Sequence, residues 1–239
     1  MNNNSIDKTD FDAFLEDTSW FLESTDTVEF LDEGIDTILS PEFQKTFPKL
    51  SKLIQQARVL NLTVNNQLYR LFSWTNIYGL SCGWMNKIEP SIDSDLKFIE
   101  EHKILLKAIG GIQETYNEPE PSLTNNQNFL FIASECIKGL GNLEEYYEDL
   151  CKEEDMIKMD CKDLITCVVE YKGDVTVYNA ITKEVMLFSH DNGFEDVELL
   201  ENQPEGSFYT INGIKTFVDY VERIAQEWTA EIDFQKTTV

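Results

Sequence analysis

Hydrophobic positions recur with a helical period through most of the first hundred residues. Phe11, Phe14, Leu15, Phe21 and Leu22 form a short stripe, and Val28, Leu31, Ile35, Ile38 and Leu39 form a second. Residues three and four apart share one face of an α-helix, so both stretches are predicted to be amphipathic helices. Asp26 followed by Glu29 suits a capping pair at the head of the second. Ser40-Pro41 predicts a new helix with proline at its first position, and Leu50, Leu53, Ile54 and Ala57 continue the pattern after Pro48. Leu68, Leu71, Phe72 and Trp74 read as a further helix, after which Gly79, Gly83 and Pro90 interrupt regular structure. Over residues 95–109, Phe98, Ile99, Leu105, Leu106 and Ile109 share one face, and Gly110-Gly111 is suited to a left-handed cap.

Beyond those glycines the period changes. Residues 112–116 read as a short strand, 117–128 with Pro119 and Pro121 as an exposed loop, and 129–133 as a buried apolar run. Asn142 with Glu145 predicts a capped helix through about Cys151. Residues 164–170, 175–178 and 184–188 are strand-like and separated by turn residues, and His190-Asp191-Asn192-Gly193 is a further turn. After Asn212, the stripe of Phe217, Val221, Ile224, Ala225, Trp228 and Ile232 predicts a closing amphipathic helix. Strands followed by a packed terminal helix predict an α+β fold: a helical region over 1–90, then a mostly antiparallel sheet flanked by helices over 91–239. The helical region is expected either to extend that domain or to stand apart from it.

Charge narrows the classes of partner. The 239 residues carry 44 Asp and Glu against 19 Lys and Arg, a net charge of −25. Such a surface repels nucleic-acid phosphates and anionic membranes and attracts basic proteins. The chain is no acidic random coil, because 42% of it is hydrophobic and 12% aromatic. The acids are uneven. Residues 1–36 hold eleven acids and one Lys, whereas 42–107 hold nine bases and six acids. This predicts either packing of the first segment on the second or a solvated tail. Residues 191–205 hold six acids and no base. The opening MNNNSIDKTDFDAF has no basic and apolar leader pattern, and no apolar run suits a membrane span, so a cytoplasmic protein is expected.

Catalytic motifs are hard to assemble. G-x-S-x-G, P-loop and H-E-x-x-H patterns are missing from the sequence. Cys82, Cys136, Cys151, Cys161 and Cys167 form no C-x-x-C pair and read as buried thiols. His102 falls on an apolar stripe and reads as a core residue, while His190 beside Asp191 reads as a hydrogen-bonded strand end. Asp191-Asn192-Gly193 fails the spacing of a calcium loop. With 44 acids, chance carboxylate pairs are certain and mark nothing. No catalytic, metal or cofactor residue is assigned.

Three segments, in order, resemble the SUKH superfamily, which includes bacterial toxin-immunity proteins and fungal cell-wall-synthesis regulators. They are HKILLKAIGGI (residues 102–112), YKGDVTVYNAITKEVMLFSHD (171–191) and INGIKTFVDYVERIAQEW (211–228). The likeness runs over residues 95–230, with Ile109 where family members often have Asn before the glycine pair. The resemblance implies a SUKH-like sheet and a non-catalytic module. Its immunity members neutralise a toxin, often a basic nuclease, by direct binding. Asp191, Glu195, Asp196, Glu198 and Glu201 are the candidate contacts for a basic partner, the alternative being a solvated loop. Two other readings stand beside this one. One is a regulatory or scaffold protein with an endogenous partner. The other is a carboxylate-dependent hydrolase, which requires a concave site holding a carboxyl group of raised pKa.

Overall fold

A computed structural model of the chain describes residues 9–31, 39–90, 96–125, 127–190 and 196–237. The twelve strands belong to one antiparallel sheet. They are β1 (Val28–Phe30), β2 (Arg58–Val64), β3 (Gln67–Thr75), β4 (Ser81–Lys87), β5 (Gly111–Tyr116), β6 (Gln127–Leu130), β7 (Ile137–Lys138), β8 (Leu164–Glu170), β9 (Val175–Asn179), β10 (Val185–Phe188), β11 (Val197–Leu199) and β12 (Phe208–Ile211). The spatial order is β1-β2-β3-β4-β5-β6-β8-β9-β10-β12-β11, with β7 attached to β8 off this path. The helices are α1 (Thr9–Asp17), α2 (Pro41–Thr46), α3 (Pro48–Ile54), α4 (Glu100–Ile109), α5 (Leu143–Glu153), α6 (Phe217–Glu231) and α7 (Phe234–Thr237). The α+β class is therefore correct.

The helical region expected over 1–90 is a correction. Residues 58–87 are three strands, and Val28–Phe30 is a fourth, paired with β2. Leu71 joins a core under α1, while Phe72 and Trp74 join the main core on the other face. With both faces covered, apolar residues fall on consecutive positions and imitate a helical period. The telling signal is Asn65-Asn66, both at positive φ (51° and 68°), which turns β2 into β3. Asp26 caps no helix. Its carboxylate accepts from the Glu23 amide at 2.8 Å and the Asn65 side chain at 2.6 Å, closing a turn. Ile35 and Ile38 lie outside the described residues.

Other expectations hold. Ser40 caps α2, its Oγ accepting from the Phe43 amide at 3.1 Å. Gly110 ends α4 at φ 78°, where a side chain would collide with the Lys87 carbonyl. Strands β8, β9 and β10 form the expected meander. α6 opens on a capping box of Thr216 and Asp219. Residues 117–125 are less exposed than expected. Thr124 is buried and accepts from the Trp228 indole at 3.0 Å, and Glu227 accepts from the Leu123 amide at 2.8 Å.

Helices α2, α3, α4 and α6 cover one face of the sheet over a core that includes Trp74, Trp84 and Trp228. The three indoles meet at centroid distances of 5.2, 5.9 and 5.3 Å. The other face has two smaller cores, because alternate residues of each strand point there. One gathers Phe11 and Phe14 of α1 on Leu60, Leu62, Leu71 and Met85. The other packs Tyr147 of α5 on Val177, Phe188 and Phe208. Asp10 of α1 grips Arg58 through two bonds of 2.8 Å, so the described part of the acidic segment, residues 9–31, packs on the mildly basic one. Strand β4 pairs with β5 from Gly83↔Tyr116 to Lys87↔Gly111, and the sheet runs unbroken across residue 90.

Candidate protein interface

Asp191 and Glu195, two of the five candidate contacts, lie outside the described residues. Asp196, Glu198 and Glu201 are exposed and lie just before, within and just after β11, the strand at one end of the sheet. Asp196 also borders a cavity of about 470 Å³ beside α6, where Arg223 and Lys172 stand among Glu170, Asp174 and Glu227. An edge strand offers unpaired backbone groups to another chain, and acids there select against all but basic ones.

The histidines split as their patterns suggest. His102 is buried on α4, with Nε2 2.8 Å from the Phe131 carbonyl and Nδ1 3.1 Å from the Tyr178 hydroxyl. A carbonyl only accepts, so Nε2 carries the proton and Nδ1 accepts from Tyr178. Burial pushes its pKa down to about 4. Phe131 stands at φ 66°, a conformation costly for an aromatic residue, with its carbonyl bonded to His102 and its amide to the Cys167 carbonyl at 2.7 Å. His190 closes a strand end, and the acid it meets is Asp174: Nδ1 lies 2.7 Å from the buried Oδ1, which also accepts from the His190 amide at 3.0 Å.

All five cysteines are free and buried. Burial pushes the thiol of Cys82 up to about 12 and that of Cys161 to about 11, and raises those of Cys136 and Cys167 as well. These four sulfurs are protonated at neutral pH and poorly suited to nucleophilic work. Among the described residues, no group of three or more His, Cys, Asp or Glu could hold a metal ion, and no helix is long and apolar enough to cross a membrane.

A second acidic surface was not foreseen. Three clefts of about 510, 430 and 350 Å³ adjoin one another. The first two share Trp20, Glu114 and Tyr171, and the last two share Asn117, Glu118 and Glu120. Among the described residues, no Lys or Arg lines any of them. Trp20, Tyr171 and Tyr78 stand 62%, 60% and 77% exposed along this groove. Large exposed aromatics beside a cavity are a mark of binding surfaces.

Each wall has a local origin. Asp17 ends α1, whose last turn has acids and no base, against the preference of a helix C-terminus for positive charge. It is held by the Asn117 amide at 2.9 Å. The Trp20 indole donates to Glu114 Oε2 at 2.8 Å. β5 carries an irregularity beside Met85 and Asn86, after which Glu114 and Tyr116 lie on the α1 side of the sheet. Burial holds the Glu114 carboxyl above the usual range, and Glu118 and Asp17 raise it further, against the pull of the Trp20 bond. Burial likewise raises Glu118, with Asp17 adding and Asn125 opposing. Two carboxylates are thus kept partly out of water with no Lys or Arg among the described residues of the cleft. The sequence signal was the interleaving of aromatics and acids in EDTSW and ETYNEPE.

The chain matches no protein-family model, no curated protein and no solved structure.

Proposed function

We propose that this chain is a non-catalytic module that binds a basic protein, most simply an immunity protein that neutralises a toxin by covering its positively charged face. The observation that carries this reading is the groove from Trp20 to Tyr78, rich in carboxylates and exposed aromatics and, among the described residues, lined by no Lys or Arg. Asp196, Glu198 and Glu201 add a second acidic strip for steering. The resemblance to the SUKH superfamily supports the same class, and the reading expects a cytoplasmic protein. Purification with the product of the adjacent reading frame is the direct test: a stable complex and protection of cells are expected, and the absence of both sinks the reading. The association rate should fall steeply as added salt shortens the screening length from about 10 Å at 0.1 M to about 3 Å at 1 M. A regulatory protein with an endogenous partner would use the same groove, and gene neighbourhood separates the two.

One observation favours a second reading, a carboxylate-dependent hydrolase. Glu114 and Glu118 have raised pKa values inside a concave site, beside aromatic rings on which a sugar could stack. Binding is preferred because Glu114 is engaged by Trp20, and because two further acids, Asp17 and Glu120, share the cleft. Glycosidase turnover that vanishes in Glu118→Gln would reverse this order.

A further inference from the structure

Among the described residues, the middle cleft offers acceptors and no donor of positive charge. Asp17, Glu114, Glu118 and Glu120 border a volume of about 430 Å³ between Trp20 and Tyr171. A second observation is independent of these acids. Gln127 of β6 lines the same cleft and is only 8% exposed. Its Nε2 donates to the Leu123 carbonyl at 3.1 Å and to Glu170 Oε1 at 3.3 Å. Reversing the amide would set its oxygen against both acceptors, so the orientation is fixed. The Oε1 atom is buried and accepts no hydrogen bond. Buried acceptors are nearly always satisfied in folded proteins, and one left open beside a cleft calls for a ligand donor.

We propose that this cleft receives one arginine side chain of the basic partner, its guanidinium bonded to Glu114, Glu118 and Gln127 and its plane laid against Trp20 or Tyr171. The inference rests on the protein-binding reading above. Arginine fits for three reasons. Its five donors spread over a planar fork and can serve several acceptors at once. The guanidinium is weakly hydrated and stacks on aromatic faces. Its positive charge relieves the repulsion among four neighbouring carboxylates. A lysine ammonium offers three donors at one point and is more costly to dehydrate. A neutral group would leave the acids opposed.

Trp20 makes the test local. The other three tryptophans, Trp74, Trp84 and Trp228, are no more than 1% exposed, so a Trp20→Phe variant assigns the one indole N–H signal that reports the cleft. The full chain is titrated with N-acetyl-arginine amide, N-acetyl-lysine amide and N-acetyl-norleucine amide while the indole signals are followed by NMR. The Trp20 signal is expected to move saturably with the arginine probe, several-fold more weakly with lysine and not with norleucine. Glu118→Gln should lower the arginine affinity about tenfold, in line with loss of a hydrogen bond between charged groups. An unmoved Trp20 signal, an equal response to lysine or norleucine, or unchanged affinity in both Glu114→Gln and Glu118→Gln overturns the proposal. Since the probe needs no partner, its binding without any basic protein complex refutes the protein-binding reading alone. A stable complex untouched by Trp20→Ala and Glu118→Gln refutes the arginine site alone.

Discussion

The surroundings of His102 and of Glu114 treat ionisable groups in opposite ways. Around His102, both ring nitrogens find a partner, and burial keeps the ring neutral. Around Glu114, burial is incomplete and other acids stand near, and both disfavour the charged form of its carboxyl group. The first arrangement stabilises the fold and leaves nothing for a ligand. The second gives up stability and leaves an electrostatic demand. Sites that sacrifice stability locally are where binding is to be sought.

The contrast should break most visibly at His102. Replacing it by Ala opens a cavity, takes from the Phe131 carbonyl and the Tyr178 O–H their His102 partner, and is expected to cost about 3–4 kcal/mol in denaturant unfolding. Nearly as large is the acid response of the native chain. The His102 pKa falls from 6.5 unfolded to about 4 folded, so its neutral form is no burden above pH 6.5. As pH drops from 6.5 through about 4, the unfolded state takes up the proton first, and roughly 3 kcal/mol of stability is lost. Glu114 and Glu118 act with the reverse sign, because their raised pKa values let the folded state protonate first as pH falls. A Glu114→Gln/Glu118→Gln double variant should therefore lose stability in acid more steeply than the native chain in thermal melts across this range.

Smaller effects sharpen the groove side. At neutral pH, Glu118→Gln is expected to raise stability by up to about 1 kcal/mol while weakening a basic partner, since it removes a charge held out of water. Reduced stability in that variant would mean that the carboxylate supports the fold. Smallest is Glu198→Lys on the β11 edge. Its exposed position should leave stability within about 0.5 kcal/mol, and its effect should fall on the association rate with a basic protein, measured by stopped flow.

Much of the scaffold can be read from the residues in order. The Phe98–Ile109 stripe, the β8–β10 meander and the Phe217–Ile232 stripe each belong to elements covered mainly on one side or bounded by clear turn residues. Strands β2 to β4 defeat that reading because α1 covers one face while α3 and α6 lie over the other, and alternation disappears. The groove is harder still. Its walls come from the end of α1, from β5, from the loop at Glu118 and from the turn at Tyr171, and adjacency among them is a product of the sheet order. Exposure of Trp20 and partial burial of Glu114 are properties of the folded chain, with no counterpart in local pattern.

The indole cluster has a consequence for how the chain is made. The sheet follows sequence order closely, so hairpins such as β2–β3 and β3–β4 can zip up soon after leaving the ribosome. Trp74 and Trp84 then present a greasy surface whose lid, α6 with Trp228, is synthesised long afterwards. Until residues 217–231 emerge, α2, α3 and α4 cover only part of that face, and the part that α6 covers stays open. An apolar surface left open during synthesis is prone to stick to other chains, and arrival of the last long helix closes it.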